Sequence, residues 1–303
     1  MPKFELMYYN DNTIVYFRGE FVKATEASIS AYDQSIHYGY AAFEGIRCYS
    51  TENGIKIFKA EEHYNRLEFS SKAIGIPYPY NNDELIEISY DLLRKNSLGN
   101  AYLRPLVYCP PNMVLTKAKG SHLLIAAWEW GAYLGTQLLR LKTSSYRRIS
   151  SASFMVEAKV SGHYVNSILA TQEAKDLGYD EALLLDMNGF VAEGPGANFF
   201  MEKDGILFTP ERGSILPGIT RATVIELCHV LDYEVVEKKI LPDEVYEADA
   251  AFYCGTAAEV IGIHSLDDKV FPLKWEQSLG EKIQKAYRDL VLQKYSQPAH
   301  QVA

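Results

Sequence analysis

The run Lys159–Tyr164 (KVSGHY) sets one lysine among small residues, and the run Glu193–Phe200 (EGPGANFF) sets one acid before a glycine-rich turn. These two segments constrain the chain more than any other feature. Val160, Ser161 and Gly162 offer little bulk, so a flat ring can approach the lysine. A fold that sets Glu193 against the same ring supplies the pair that pyridoxal phosphate needs. The amine holds the aldehyde as a Schiff base, and the carboxylate keeps the pyridine nitrogen protonated. A carboxylate within ~4–6 Å favours the charged ring, the better electron sink, by about 1–3 pKa units. Once a substrate amine has displaced it, the lysine can shuttle a proton between substrate Cα and cofactor.

A phosphate needs donors. Leu216–Thr220 (LPGIT) leads into a helix, and N–H groups at a helix start beside Gly218 make an anion site. Gly255–Ala258 (GTAA) can add a hydroxyl and neighbouring N–H groups. The net charge of −9 argues against nucleic acid and anionic membrane partners. An anionic ligand must then be drawn by local cations, so arginines inside motifs carry weight. Arg66 can add charge at the phosphate. Tyr102 and Arg104, two apart on one strand, share a face. Arg47 or Arg104 can fork onto the second acid group of a dicarboxylate. Trp128, Trp130 and Tyr133 can wall an apolar pocket or serve as plain core.

No histidine pair has metal-ligand spacing, so no metal is expected, and there is no GxSxG elbow or GKS/T loop. Cys48, Cys109, Cys228 and Cys254 form no CxxC pair and read as buried small hydrophobes. No apolar run reaches the ~18 residues of a membrane span. With no leader-like start, a cytoplasmic compartment is the expectation.

The 303 residues suffice for roughly two domains. Thr13–Phe17, Gly45–Ser50, Ala101–Tyr108 and Leu123–Trp128 read as strands, and Ala60–Ala73 and Asp83–Asn96 as helices. Trp130–Gly135 (WGAYLG) reads as a connection, giving a small domain over 1–129, a linker over 130–137 and a larger domain over 138–303. Asn188-Gly189 and Asp204-Gly205 are hairpin signals, which puts Glu193 on a strand after a tight turn. Helices are expected over Val165–Leu177, from near Gly218 through Leu231, and around Leu279–Leu290.

Eight blocks in order, HYGYAAFEGIRCY, YNRL, AYLRP, WGAYLG, AKVSGHY, EGPGANFF, LPGITR and CGTAAE, make the chain resemble the fold type IV PLP enzymes, most closely the branched-chain amino acid aminotransferases. The resemblance implies an α+β fold with a smaller α/β N-terminal domain and a larger C-terminal pseudo-barrel, working as a homodimer or higher homo-oligomer. It implies Lys159 as the catalytic residue, with Glu193 on the pyridine nitrogen and Tyr164 on the 3′ oxygen. Arg66, Gly218, Ile219, Thr220 and Thr256 would hold the phosphate. Tyr102 and the Thr256-Ala257 amides would meet the substrate α-carboxylate, and Arg104 would grip the second carboxylate of glutamate or 2-oxoglutarate. Phe43, Tyr38, Trp130 and Tyr133 would surround the branched side chain. The implied reaction is transamination of L-leucine, L-isoleucine and L-valine with 2-oxoglutarate and glutamate. Alternatives are a D-amino acid or (R)-amine transaminase, a lyase of the aminodeoxychorismate lyase type, and a non-catalytic binding protein. Two departures stand out. His163 occupies a position that is usually Asn, and Cys109–Gly120 lacks the Gly-Val element that in relatives helps line the neighbouring subunit's pocket.

Overall fold

A computed structural model describes residues 8–131, 134–135 and 137–294. The first part of the chain builds a seven-stranded sheet from β1 (Ile14–Phe17), β2 (Glu20–Lys23), β3 (Ala41–Phe43), β4 (Ile46–Thr51), β5 (Gly54–Ile57), β6 (Ala101–Tyr108) and β7 (His122–Glu129). Its order is β2-β1-β7-β6-β4-β5, with β3 also on β6. Three helices accompany it: α1 (Gln34–Tyr38), α2 (Ala60–Ala73) and α3 (Asn82–Lys95). The Asn81 side chain caps α3 by accepting from the Glu84 N–H at 3.1 Å. Asp83 and Glu84 lie in its first turn, and Arg94 and Lys95 in its last, as the helix dipole favours. Its buried face, Leu85, Ser89, Leu92 and Leu93, packs with Leu67 of α2 and Ile46 and Leu103 of the sheet.

One irregularity in this sheet shapes the site. β3 and β4 pair with β6 in one continuous register, but the ladder breaks at Glu44-Gly45 opposite Arg104-Pro105. Pro105 has no N–H to donate there, while its carbonyl still accepts from the Glu44 N–H at 2.8 Å. Gly45 is required at the break: a Cβ would lie 1.7 Å from the Tyr102 hydroxyl.

The second part builds an eight-stranded sheet from β8 (Leu139–Arg147), β9 (Glu181–Leu185), β10 (Asn198–Lys203), β11 (Ile206–Pro210), β12 (Val235–Lys238), β13 (Ala250–Gly255), β14 (Glu259–Leu266) and β15 (Lys269–Val270). The order is β12-β11-β10-β13-β14-β8-β9, with β15 on β14. Its helices are α4 (Tyr164–Asp176), α5 (Ile219–Val230), α6 (Pro242–Tyr246) and α7 (Leu279–Val291). β10 is buried on both faces. Phe199 and Met201 pack with Leu141 and Tyr253, whereas Phe200 stacks on Phe252 beside Val224 of α5 and Ile283 of α7. That explains an apolar run without alternation. Among the described residues no helix is long and apolar enough to cross a membrane.

Asp204 and Gly205 join β10 to β11 with positive φ at both positions, as the hairpin signal implies. Glu193 corrects the strand expectation. It makes a single bridge to Asn198 rather than entering a strand, because Gly194-Pro195-Gly196 turns the chain straight back. The lysine segment crosses onto the first part of the molecule. Gly39, with φ of 63°, accepts the Gly162 N–H at 3.0 Å, and a Cβ on Gly39 would lie 2.9 Å from the Gly162 Cα. Val160 then bridges Ala42, the Phe43 N–H donates to the Lys159 carbonyl at 3.1 Å, and the Lys159 N–H donates to Ser70 Oγ of α2 at 2.9 Å.

Candidate active site

A cavity of about 480 Å³ opens between the two sheets. Phe43, Gly45, Tyr102, Arg104 and Leu106 form one wall, all from the same face of the first sheet, with Trp130 beyond them. The opposite wall comes from the lysine segment, the turn after Glu193, the start of α5 and the turn after β13.

Lys159 reaches in with Nζ donating to Tyr164 Oη at 2.6 Å. The same nitrogen lies 4.9 Å from the centroid of Phe43. Glu193 faces the same space. Its Oε1 accepts from Arg148 Nε at 2.6 Å and from the Leu216 N–H at 3.1 Å, and its Oε2 accepts from Asn198 Nδ2 at 2.9 Å. Burial raises its pKa, and the Arg148 guanidinium opposes that rise.

Arg66 is fixed from behind by Glu44. Nε donates to Oε1 at 2.6 Å and Nη2 to Oε2 at 3.0 Å, while Nη1 donates to the Pro217 carbonyl at 3.1 Å. Glu44 is fully buried and also lies 2.7 Å from Nδ1 of buried His63. Arg66 and His63 hold its carboxyl far below the usual carboxylate range despite burial. Beside Arg66, no protein acceptor among the described residues takes the N–H groups of Ile219, Thr220, Thr256 or Ala257. A Cβ on Gly218 would lie 2.0 Å from Asn198 Oδ1, so a larger residue where α5 begins would displace the amide that Glu193 uses. Arg104 lies 4.8 Å from the centroid of Phe43 and 5.4 Å from that of Tyr102, with Nε buried and unpaired.

Two expected residues stand outside this cavity, and a third is not described. Arg47 is not on the cavity wall. Its guanidinium is spent on main-chain carbonyls: Thr256 at 3.0 Å, Ala257 at 2.7 Å, Gly131 at 2.8 Å and Trp130 at 3.4 Å. It ties the turn after β13 to the connecting segment and has no fork left for a ligand. Tyr38 ends α1, is exposed, and donates its hydroxyl to the Met113 carbonyl at 3.1 Å, bracing the 109–120 loop outside the cavity. Tyr133 lies outside the described residues. Conversely, Glu44, His63, Arg148 and Asn198 are site residues that pattern reading passed over. The one signal available was cationic: in an acidic chain, a buried arginine needs a reason.

The donor set suits pyridoxal phosphate. An amine and a carboxylate with acceptor capacity left share one cavity, and four unpaired N–H groups plus Arg66 offer a phosphate cup. Comparison with known proteins agrees. The amino-transferase class IV family matches residues 41–266. A branched-chain-amino-acid aminotransferase of Pseudomonas aeruginosa is 42% identical over 284 residues, covering 92% of each chain. The crystal structure of the Escherichia coli branched-chain amino acid aminotransferase superposes with a TM-score of 0.91 at 35% identity, covering 95% of this chain and 98% of that one. The branched-chain amino acid aminotransferase of Thermobaculum terrenum, solved in its PLP holo form, superposes with a TM-score of 0.89 at 33% identity over 94% and 96% of the two chains. The two sheets are therefore those of PLP fold type IV, a smaller α/β part and a larger pseudo-barrel, and the chain belongs to the class IV aminotransferases, beside the branched-chain amino acid aminotransferases.

Proposed function

We propose that the protein is a PLP-dependent aminotransferase that exchanges the amino group of L-leucine, L-isoleucine or L-valine with 2-oxoglutarate. The observation that carries this reading is one cavity holding Lys159, Glu193 and a guanidinium, Arg104, set in an aromatic wall.

Bound pyridoxal phosphate supplies a reactive aldehyde and a ring that accepts electrons from the substrate Cα. Lys159 Nζ would anchor it and, as a free amine, would take and return the Cα proton. Tyr164 Oη, 2.6 Å from that nitrogen, orients it and meets the 3′ oxygen. Glu193 holds a proton on the pyridine nitrogen. Arg66, Gly218, Ile219, Thr220 and Thr256 hold the phosphate. Tyr102 and the Thr256 and Ala257 N–H groups take the substrate α-carboxylate, on a turn that Arg47 positions. Phe43 and Trp130 pack against the branched side chain, and Arg104 takes the distal carboxylate of glutamate. A methylene more or less changes binding by only ~1–3 kcal/mol, so all three branched substrates should react.

The division into 1–129, 130–137 and 138–303 is supported by the two sheets, whose strands fall on either side of the connecting segment. We also assign a homodimer and a cytoplasmic location. The dimer is supported by exposed apolar residues, Ile36 and Tyr38 on α1 and Met113, Val114 and Leu115 on the loop to which Tyr38 bonds. A panel of L- and D-amino acids with 2-oxoglutarate as acceptor tests the function. Turnover of the L-branched-chain set is expected; turnover confined to D-amino acids or (R)-amines, or pyruvate release without an acceptor, would assign one of the rival activities instead. Sedimentation should show a dimer, and a monomer at assay concentration would remove the oligomer.

A further inference from the structure

Arg148 stands just past β8, only 8% exposed, on the wall of the cavity. Its main-chain N–H is fixed to the Leu185 carbonyl at 2.8 Å. Its Nε donates to Glu193 Oε1 at 2.6 Å, and Glu193 is its one acidic partner among the described residues. Its Nη1 is buried with no acceptor. A buried guanidinium that leaves one arm unused is costly, and a stable core would more cheaply place an apolar side chain here. Neighbouring His163 does not compete for the acid, because burial and the Arg148 charge push its pKa down to about 4 and leave it neutral. The other ionisable groups around Glu193 are Lys159 and Tyr253, and the Tyr253 hydroxyl is committed to the Ala182 carbonyl at 2.7 Å.

We propose that Arg148 is a positioning residue that decides where the proton sits between Glu193 and the pyridine nitrogen, holding Glu193 ionised so that the proton stays on the ring. This rests on the function proposed above. The physical reason is charge order. Without a cation, a buried site favours a neutral acid facing a neutral pyridine, a poor electron sink. Arg148 touches the carboxylate at 2.6 Å, and a ring nitrogen that took the same carboxylate as its partner would lie farther from the guanidinium than the carboxylate does. Attraction to the near anion therefore outweighs repulsion from the farther cation, and the row plus–minus–plus favours the charged pair. Asn198 and the Leu216 N–H fix the carboxylate but bring no net charge, so they cannot replace this effect.

The test loads wild type, Arg148→Met, Arg148→Gln and Arg148→Lys with pyridoxal phosphate carrying 15N in its ring, and records the 15N chemical shift against pH. Circular dichroism and cofactor dissociation are measured alongside. Wild type is expected to show a protonated nitrogen throughout the neutral range. Arg148→Met and Arg148→Gln are expected to lower that nitrogen's pKa by about 1–3 units and kcat about 10–100-fold, with KM for leucine moved less than about threefold. Arg148→Lys, which restores the charge, should recover the protonated shift. Folded neutral variants that keep a protonated ring and wild-type kcat would overturn the proposal, as would an Arg148→Lys protein indistinguishable from Arg148→Met. Should wild type itself take up no cofactor, the function proposed above fails first and separately.

Discussion

Glu44 and Glu193 are both buried carboxylates that accept a 2.6 Å bond from an arginine Nε, yet their protonation is driven in opposite directions. At Glu44, Arg66 closes a two-pronged fork, His63 stands 2.7 Å away, and the Gly45 N–H adds a contact at 3.2 Å. The protein satisfies that anion completely, and its pKa falls. At Glu193, Arg148 offers one prong, a main-chain N–H and an amide complete the set, and burial wins. The difference separates an acid that holds a binding residue in place from an acid that waits for a partner. Saturation, more than burial or charge, marks which buried carboxylate serves the framework and which serves chemistry.

Substitution should split the pair. Glu193→Gln is expected to cut kcat about 10²–10⁴-fold, beyond the stability it loses by leaving buried Arg148 without its acidic partner. Glu44→Gln should also cost stability, about 3–5 kcal/mol in a urea titration, because it strands Arg66 as an unpaired buried cation, but it should loosen cofactor binding more than it lowers kcat. If both variants lost only stability, or both only turnover, the contrast would be empty. A smaller effect concerns the unpaired guanidinium of the aromatic wall. Arg104→Ala should cost about 2–4 kcal/mol in kcat/KM for glutamate and 2-oxoglutarate, with leucine largely spared; equal losses on both would reject a carboxylate-binding role.

The smallest effect lies in pH. His163 has a folded pKa pushed down to about 4 from 6.5, so the unfolded chain binds more protons between those values. Stability should therefore be intact above pH 6.5 and fall as pH drops toward 4, by about 2–3 kcal/mol at most. Glu44, also depressed, adds loss of the same sign below its unfolded value near 4.5. His163→Asn should flatten the upper part of that slope. A urea titration series showing no difference between the variant and wild type from pH 6.5 to 4 would place the proton uptake elsewhere.

Much of this was legible in the sequence where a local rule governs. α2 and β6 fall at the expected residues, and Gly218 marks the start of α5 as a glycine before a helix should. α1 escaped notice because five residues carry too little period to read. Tyr38 reads in the sequence as a pocket residue, but Gly39 reverses the chain just after it and leaves the ring outside this chain's own cavity. Arg47 has the right strand face, yet four carbonyls from distant segments claim its guanidinium, which only tertiary folding brings together. Glu44, His63, Arg148 and Asn198 share that reason: each acts through a partner remote in sequence or through burial, and neither leaves a local pattern.

The central claim is that Lys159 is the amine that carries the cofactor, and reduction with borohydride tests it most directly. The purified holoenzyme should be yellow, lose its visible band on treatment, and yield a single phosphopyridoxyl-labelled peptide containing Lys159, with no label in Lys159→Ala. Label on another lysine, or a Lys159→Ala protein that keeps the bleachable band, would contradict the account.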